Sequence, residues 1–467
     1  MILTEPLKFA KDFIEQLDEC LAAANPEAKL SKSQKLFLGF CICAILIANV
    51  VSWAAFERMS LGKYTMAGLS WMFRSSGIPW DFLLVNGVRL ILKKYGITEG
   101  TLVLDDSDNQ RSKNTSKIAK VHTIKDKKTG GYIKGQNLIF LVFVSNKITF
   151  PVGFYFYEPN PATKDWRKKD KELRAKKIKK KDRPKEPEKN PDYPTKNELS
   201  LKLLKEFSKN FPEIKVKCIL ADALYGNKIF MNGAEELFKE AQIISQLKKT
   251  QTIRCRNKNY NLKEYFDQCP GIKCSIPIRG GEEKKVTMNG ARVWVNAHGA
   301  KRVVIALRYE GEDENRYIIA TNLCWRMTDI VKAYTMRWLV EVFFSDWKLY
   351  EGWCQLAKQP GFDGSCRSVI LSLLTDLALL THEDQFVLLE NKLPASTVGS
   401  LRAKIQSDAL WQFVDEILRA EDPKEKLAEC VEKLKKLRPL AASSKHLNNR
   451  DLGKLEPIPS LKKRFAA

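Results

Sequence analysis

The opening residues, MILTEPLKFAKDFIEQLDECL, mix charges with apolar positions at helical spacing, which predicts an amphipathic helix and not a signal peptide. Residues 36–56 (LFLGFCICAILIANVVSWAAF) then run 21 positions without a charge. On length alone that stretch meets the requirement for a membrane span, which makes a membrane-associated protein one rival reading. Asn49 and Ser52 interrupt it and amphipathic patterns flank it, so a buried helix of an N-terminal bundle is the expectation. Helical spacing continues to about residue 95, with Ser31 and Ser33 as candidate N-caps and a break over 77–79. The part spanning 59–95 could hold a helix-turn-helix, with Lys63, Arg74, Arg89, Lys93 and Lys94 available to phosphates; a packing or dimerisation bundle has the same pattern.

From Gly100 the period changes. Residues 101–105 (TLVLD) predict a short apolar strand ending in acid, and 138–144 and 149–157 predict two strands joined at Ser145-Asn146-Lys147. A helix over 197–210, a strand over 215–220, a helix over about 227–241 and a strand over 242–247 follow, then many short strand signals over 249–320. Helical character returns from Asp329. The expected fold class is therefore α/β and multi-domain. Its parts are a helical N-terminal DNA-binding domain (1–96), the first part of an α/β core (97–248), a β-rich insertion (249–325), helices completing the core (326–385), and a basic helical C-terminal region (386–467).

Charge changes the picture of partners more than of fold. Lys and Arg number 79 against 55 Asp and Glu, a net +24. Such an excess points to a polyanion, nucleic acid before an acidic membrane surface. Within the loop 163–190, residues 164–189 hold 14 Lys/Arg and 6 Asp/Glu, which predicts a mobile loop or charged helix suited to tracking phosphates. The eleven cysteines form no CxxC pair, and His122, His298, His382 and His446 complete no zinc spacing, so a reducing cytosol fits best. Cys41 and Cys43 read as small core residues. Gly130-Gly131 is too short a glycine pair for a phosphate-binding loop.

Two acids, Asp106 and Asp222, sit where predicted strands end, the place where side chains of an open α/β sheet face a crevice. Paired carboxylates there can hold hard divalent cations, although Asp after a strand also starts turns and caps helices. In AYTMRWLVEVFFSDWKLY, Tyr334, Arg337, Glu341 and Lys348 fall at offsets 0, 3, 7 and 14. On one continuous helix these occupy a stripe about 60° wide, walled by aromatic and aliphatic residues. A surface ion pair accounts for Arg337 and Glu341 but not for so apolar a wall.

The spacing Tyr334-x2-Arg337-x3-Glu341-x6-Lys348 resembles the Y-R-E-K signature of bacterial DDE transposases of the insertion sequence 4 family. Leu104-Asp105-Asp106-Ser107 resembles the family's first-aspartate block and Asp222-Ala223-Leu224-Tyr225-Gly226 its second, in the family's order, over roughly residues 97–385. The resemblance implies an RNase H-like core in which Asp106, Asp222 and Glu341 hold two Mg²⁺ ions, with Mn²⁺ as a substitute. It implies phosphate contacts by Tyr334, Arg337 and Lys348, a homodimer on double-stranded DNA ends and target, and cut-and-paste chemistry. Some relatives cut through a hairpin and hold a flipped base on a tryptophan of the insertion; Trp294 is the candidate, with Trp325 competing and a core role open to both. Asp106 is preferred to Asp105 because it directly precedes Ser107, and Asp105 points to the other side of the strand. A non-cutting, sequence-specific DNA-binding protein of the same descent is the alternative.

Overall fold

Residues 2–111, 115–126, 130–269, 271–278, 282–352, 359–385 and 396–437 are described in the computed structural model. The fold is mixed α/β. The strands are β1 (Glu99–Gln110), β2 (His122–Lys125), β3 (Tyr132–Val144), β4 (Thr149–Tyr157), β5 (Lys215–Ala221), β6 (Gln242–Leu247), β7 (Thr252–Cys255), β8 (Lys258–Asn261), β9 (Ile272–Pro277), β10 (Glu283–Val295), β11 (Ala300–Tyr309) and β12 (Arg316–Ala320). All twelve join one sheet in the order β2-β3-β1-β5-β6-β12-β11-β10-β7-β8, with β4 also on β3 and β9 on β10. β1, β3 and β4 are antiparallel, whereas β5 and β6 lie parallel to β1. β12 pairs antiparallel with β6, so the β-rich insertion continues the same sheet.

Five helices precede the sheet: α1 (Lys8–Ala24), α2 (Lys32–Ile47), α3 (Trp53–Met59), α4 (Met66–Ser75) and α5 (Trp80–Lys94). The uncharged run of 36–56 is split between α2 and α3. Backbone turns extended at Ala48, and the Ser52 hydroxyl accepts from the Ala55 amide at 3.2 Å to start a new helix. No described helix is long and apolar enough to cross a membrane. α2 is apolar on nearly every side because it is buried on nearly every side.

Between β4 and β5 come α6 (Pro161–Ala175) and α7 (Lys196–Asn210), and α8 (Lys228–Leu237) lies in the crossover between parallel β5 and β6. The basic segment is thus partly helical: Asp170 on α6 pairs with Arg174 and Arg183, and Trp166 donates to the Pro184 carbonyl at 2.8 Å. α9 (Leu262–Asp267) lies within the insertion, followed by α10 (Met327–Thr335), α11 (Trp338–Leu349), α12 (Gly361–Leu380), α13 (Val398–Leu418) and α14 (Pro423–Lys435). Helix α12 is buried along most of its length and packs on α5 and α2. At Gly87 of α5 a Cβ would stand 2.8 Å from Leu377, so the absent side chain sets how closely the two helices approach. Bundle, sheet and α12 share one contiguous apolar core. Residues 386–395 and 438–467 of the expected C-terminal region lie outside the described residues.

Candidate active site

The first strand does not stop at its acids. β1 runs on to Gln110, which sets Asp105, Asp106 and Asp108 inside a strand, flanked by β3. Leu104 is the last residue of β1 paired with β5, opposite Ala221, so Asp105 lies one step past the final rung and beside Asp222. Asp222 leaves β5 in extended backbone and caps a short turn over Ala223–Tyr225, its Oδ1 accepting from the Leu224 amide at 2.8 Å. The turn is pinned from both sides. Tyr225 is fully buried, and a Cβ on Gly226 would lie 1.8 Å from the Gln246 carbonyl oxygen, which leaves room only for glycine. The Ser245 hydroxyl donates to the Asp222 carbonyl at 2.6 Å.

Successive residues of a strand face opposite ways, and the two acids of β1 accordingly meet different helices. Asp105 faces α11. There Phe343, Phe344 and Trp347 pack their rings around Phe140 of β3, with centroids 5.8, 5.4 and 4.8 Å away, which fixes α11 across that face. Arg337, at the start of α11, donates Nη1 to Asp105 Oδ2 at 2.7 Å and stands 3.7 Å from Glu341. Asp106 faces α7, where Lys196 Nζ donates to its Oδ2 at 2.7 Å and Asn137 Nδ2 to the same oxygen at 2.8 Å. Arg337 and Glu341 thus lie on the side of the strand to which Asp105 points, and Lys196 on the side of Asp106.

One carboxylate oxygen from each of Asp105, Asp106 and Asp222 lies within 4.8 Å of the others. Glu341 belongs to the rim of this group. Its side chain is 44% exposed and is tied in through Arg337. Asp105, only 7% exposed, is pushed up to about 7 by burial; Arg337 pulls it down, while Asp222 and Glu341 push it further up. Burial also raises Asp222, with Asp106 adding to the rise against the Leu224 amide. Arg337 is lowered by burial but held above its ordinary value by Tyr334, Asp105, Glu341 and Asp222. The Tyr334 hydroxyl is pushed up to about 12, chiefly by burial.

The polar stripe is carried by two helices and not one. Between α10 and α11 the amides of Met336, Arg337, Leu339 and Val340 each bond the carbonyl three residues back, a tightened segment. Tyr334 lies in the last turn of α10, Arg337 is the N-cap of α11 and Glu341 lies in its first turn. Lys348, at the far end of α11, donates to the Asp108 carbonyl at 2.9 Å, beyond the acids along β1. Trp294 stays on the insertion: it lies on β10, 38% exposed, with the Arg254 guanidinium 5.3 Å over its ring. No described contact joins it to the acids. Trp325 is partly buried against the core. Cys41 and Cys43 are fully buried in α2. His298 is buried and meets the Gly226 carbonyl through Nε2 at 3.3 Å, so it supports the turn after Asp222; His446 lies outside the described residues.

Two residues of the site escape the motif reading. Lys196 opens α7 behind a capping box in which Thr195 and Glu198 bond each other's backbone amides, a pattern visible as Thr-x-x-Glu. Asn137, with Gln136, is a buried polar residue just ahead of the apolar run of β3, which is itself a signal.

No protein-family model matches the chain, and no curated protein is significantly similar to it in sequence.

Proposed function

We propose that the chain is a DDE-type transposase, a divalent-metal-dependent enzyme that cuts and joins DNA. The observation that carries this reading is the meeting of Asp105, Asp106 and Asp222 at the end of the parallel β1–β5 pair, with Glu341 and Arg337 delivered to the same place by α11. The order β4-β3-β1-β5-β6, three antiparallel strands followed by two parallel ones, agrees with the RNase H-like core implied by the motif resemblance. The donor set fits Mg²⁺ or Mn²⁺: it is all carboxylate oxygen, and acids raised by burial and mutual repulsion gain most from a nearby positive ion.

Asp105, Asp106 and Asp222 are the acids that would hold metal, with Glu341 closing the set from the rim. Bound there, a pair of divalent ions supplies an activated water or 3′-hydroxyl and stabilisation of the departing oxygen in an in-line displacement at phosphorus. The protein's own part is positioning. Arg337 orients the Asp105 carboxylate and offers remaining guanidinium donors to a phosphate, for which its planar fork is suited. Tyr334 keeps its proton at neutral pH and can donate to a phosphate oxygen. Lys348 contributes charge along β1, and the excess of cations over the chain draws in the duplex.

The test is strand cleavage on DNA carrying the flanks of the chain's own gene, with Mg²⁺, Mn²⁺ or EDTA. Metal-dependent cuts at a discrete end are expected, lost by on the order of 10³-fold or more in Asp105→Asn, Asp222→Asn and Glu341→Gln. Binding without cutting in any divalent metal would replace this reading with a non-cutting DNA-binding protein. A defect in Asp106→Asn but none in Asp105→Asn would assign the first ligand to Asp106 alone.

A further inference from the structure

The two strand acids are each met by a cation from the protein, but the two cations are not equivalent. Arg337 reaches Asp105 from α11 and also stands near Glu341. Lys196 reaches Asp106 from the other face of the sheet, at the first turn of α7. Its side chain is partly open to solvent, and its ammonium lies 5.2 Å over the Tyr157 ring, an aromatic face that stabilises a cation without binding it tightly. A flexible four-carbon stem with a compact charge can leave such a place without disturbing the helix that carries it.

Asn137 supplies the second observation. Its Nδ2 spans Asp106 Oδ2 at 2.8 Å and Asp108 Oδ1 at 2.6 Å, holding both carboxylates in place. Its Oδ1 is buried and has no hydrogen-bond donor among the described residues. A buried amide oxygen without a donor is costly, and a water carried by a hydrated cation is the kind of donor that would satisfy it. Around Asp106 thus stand an ammonium, an amide donor and a buried acceptor without a donor among the described residues.

We propose that Lys196 is an internal counter-ion that keeps divalent metal off Asp106 until a DNA phosphate draws its ammonium away. This rests on the metal-dependent reading above and adds a coupling between DNA arrival and metal loading. Two cations cannot share one carboxylate oxygen at close range without strong repulsion, so the ammonium and the metal compete for Asp106. A phosphodiester brought to the acids offers the ammonium an alternative partner, and the competition is relieved. Lys196 acts through Asp106 and is a positioning residue.

The experiment measures Mn²⁺ affinity by electron paramagnetic resonance on the full chain, without DNA and with a non-cognate duplex. The Asp222→Asn protein, with and without that duplex, serves as the blank. Lys196→Met is compared with wild type, with Lys196→Arg, which keeps the charge, and with Lys202→Met, which removes a charge of α7 held over Tyr155 instead. Without DNA, Lys196→Met is expected to bind Mn²⁺ about tenfold more tightly than wild type, while Lys196→Arg and Lys202→Met stay near wild type. Duplex is expected to bring wild type close to Lys196→Met. Equal or weaker affinity in Lys196→Met, with binding still lost in Asp222→Asn, overturns the counter-ion role and leaves the metal site standing. A duplex that fails to narrow the gap overturns the coupling. Absence of Mn²⁺ binding above the blank in every protein overturns both the role and the metal-dependent reading.

Discussion

At the scale of single residues, the decisive fact is that neighbours in sequence serve different faces. Asp105 and Asp106 are adjacent, yet one is paired with Arg337 and the other with Lys196. Which acid shares a face with Arg337 and Glu341 is set by the side of the sheet on which α11 packs. Asp105 also makes stability depend on pH. Its folded value of about 7 stands above the ordinary 3.8, so between those values the folded state holds a proton that the unfolded state has released. Metal-free protein is therefore expected to lose stability as pH rises from about 4 towards 7. Asp105→Asn should flatten that part of a urea-denaturation series against pH, and an unchanged slope would remove Asp105 as its source. Divalent metal should restore stability at the upper end.

At the scale of elements, α11 is placed by its rings. Trp347 is fully buried against Phe140, with Phe343 stacked beside it at 5.9 Å. Replacing Trp347 by Ala should cost about 3–5 kcal/mol in chemical denaturation and loosen the Arg337–Asp105 pair along with it. A cost below about 1 kcal/mol would mean that other contacts hold the helix. Much of this level was legible in the chain. β4 and β6 fall on the residues their alternation predicts, and α7 begins one residue earlier than its pattern suggests. Two errors have clear causes. β1 outruns its apolar stretch because polar Asp106, Asp108 and Gln110 still find ladder partners on β3, and side-chain polarity does not report backbone pairing. The stripe of Tyr334, Arg337, Glu341 and Lys348 is spread over two helices because a tightened turn leaves no mark on hydrophobic period. The acids' meeting was legible only as order along the chain; the partners Lys196 and Asn137 come from elements whose packing no local pattern fixes.

At the scale of the whole molecule, the bundle cannot be treated apart from the sheet. Tyr95, just past α5, donates its hydroxyl to the Leu380 carbonyl at the end of α12, and Gly87 sits against Leu377. Gly87→Leu should therefore lower the melting temperature of the whole protein in one transition, and not soften the N-terminal helices alone. Separate melting of the bundle would refute the shared core as an energetic unit. The charge excess makes its own prediction at this scale. Binding to non-cognate duplex should weaken steeply from about 50 to 200 mM salt, as release of counter-ions requires. A flat response would show that the +24 excess is not spent on phosphates.

The burial of α12 against α5 and α2 has a consequence for how the protein comes into being. On the ribosome the first five helices emerge long before the helix that completes their packing, and Glu341 follows most of the sheet. A nascent chain thus holds Asp105 and Asp222 for many seconds without the elements that finish either the core or the acidic site. The apolar core and the acidic site are thus completed together, by elements made after residue 326, and a chain stopped short of them lacks both the packing of α12 and Glu341.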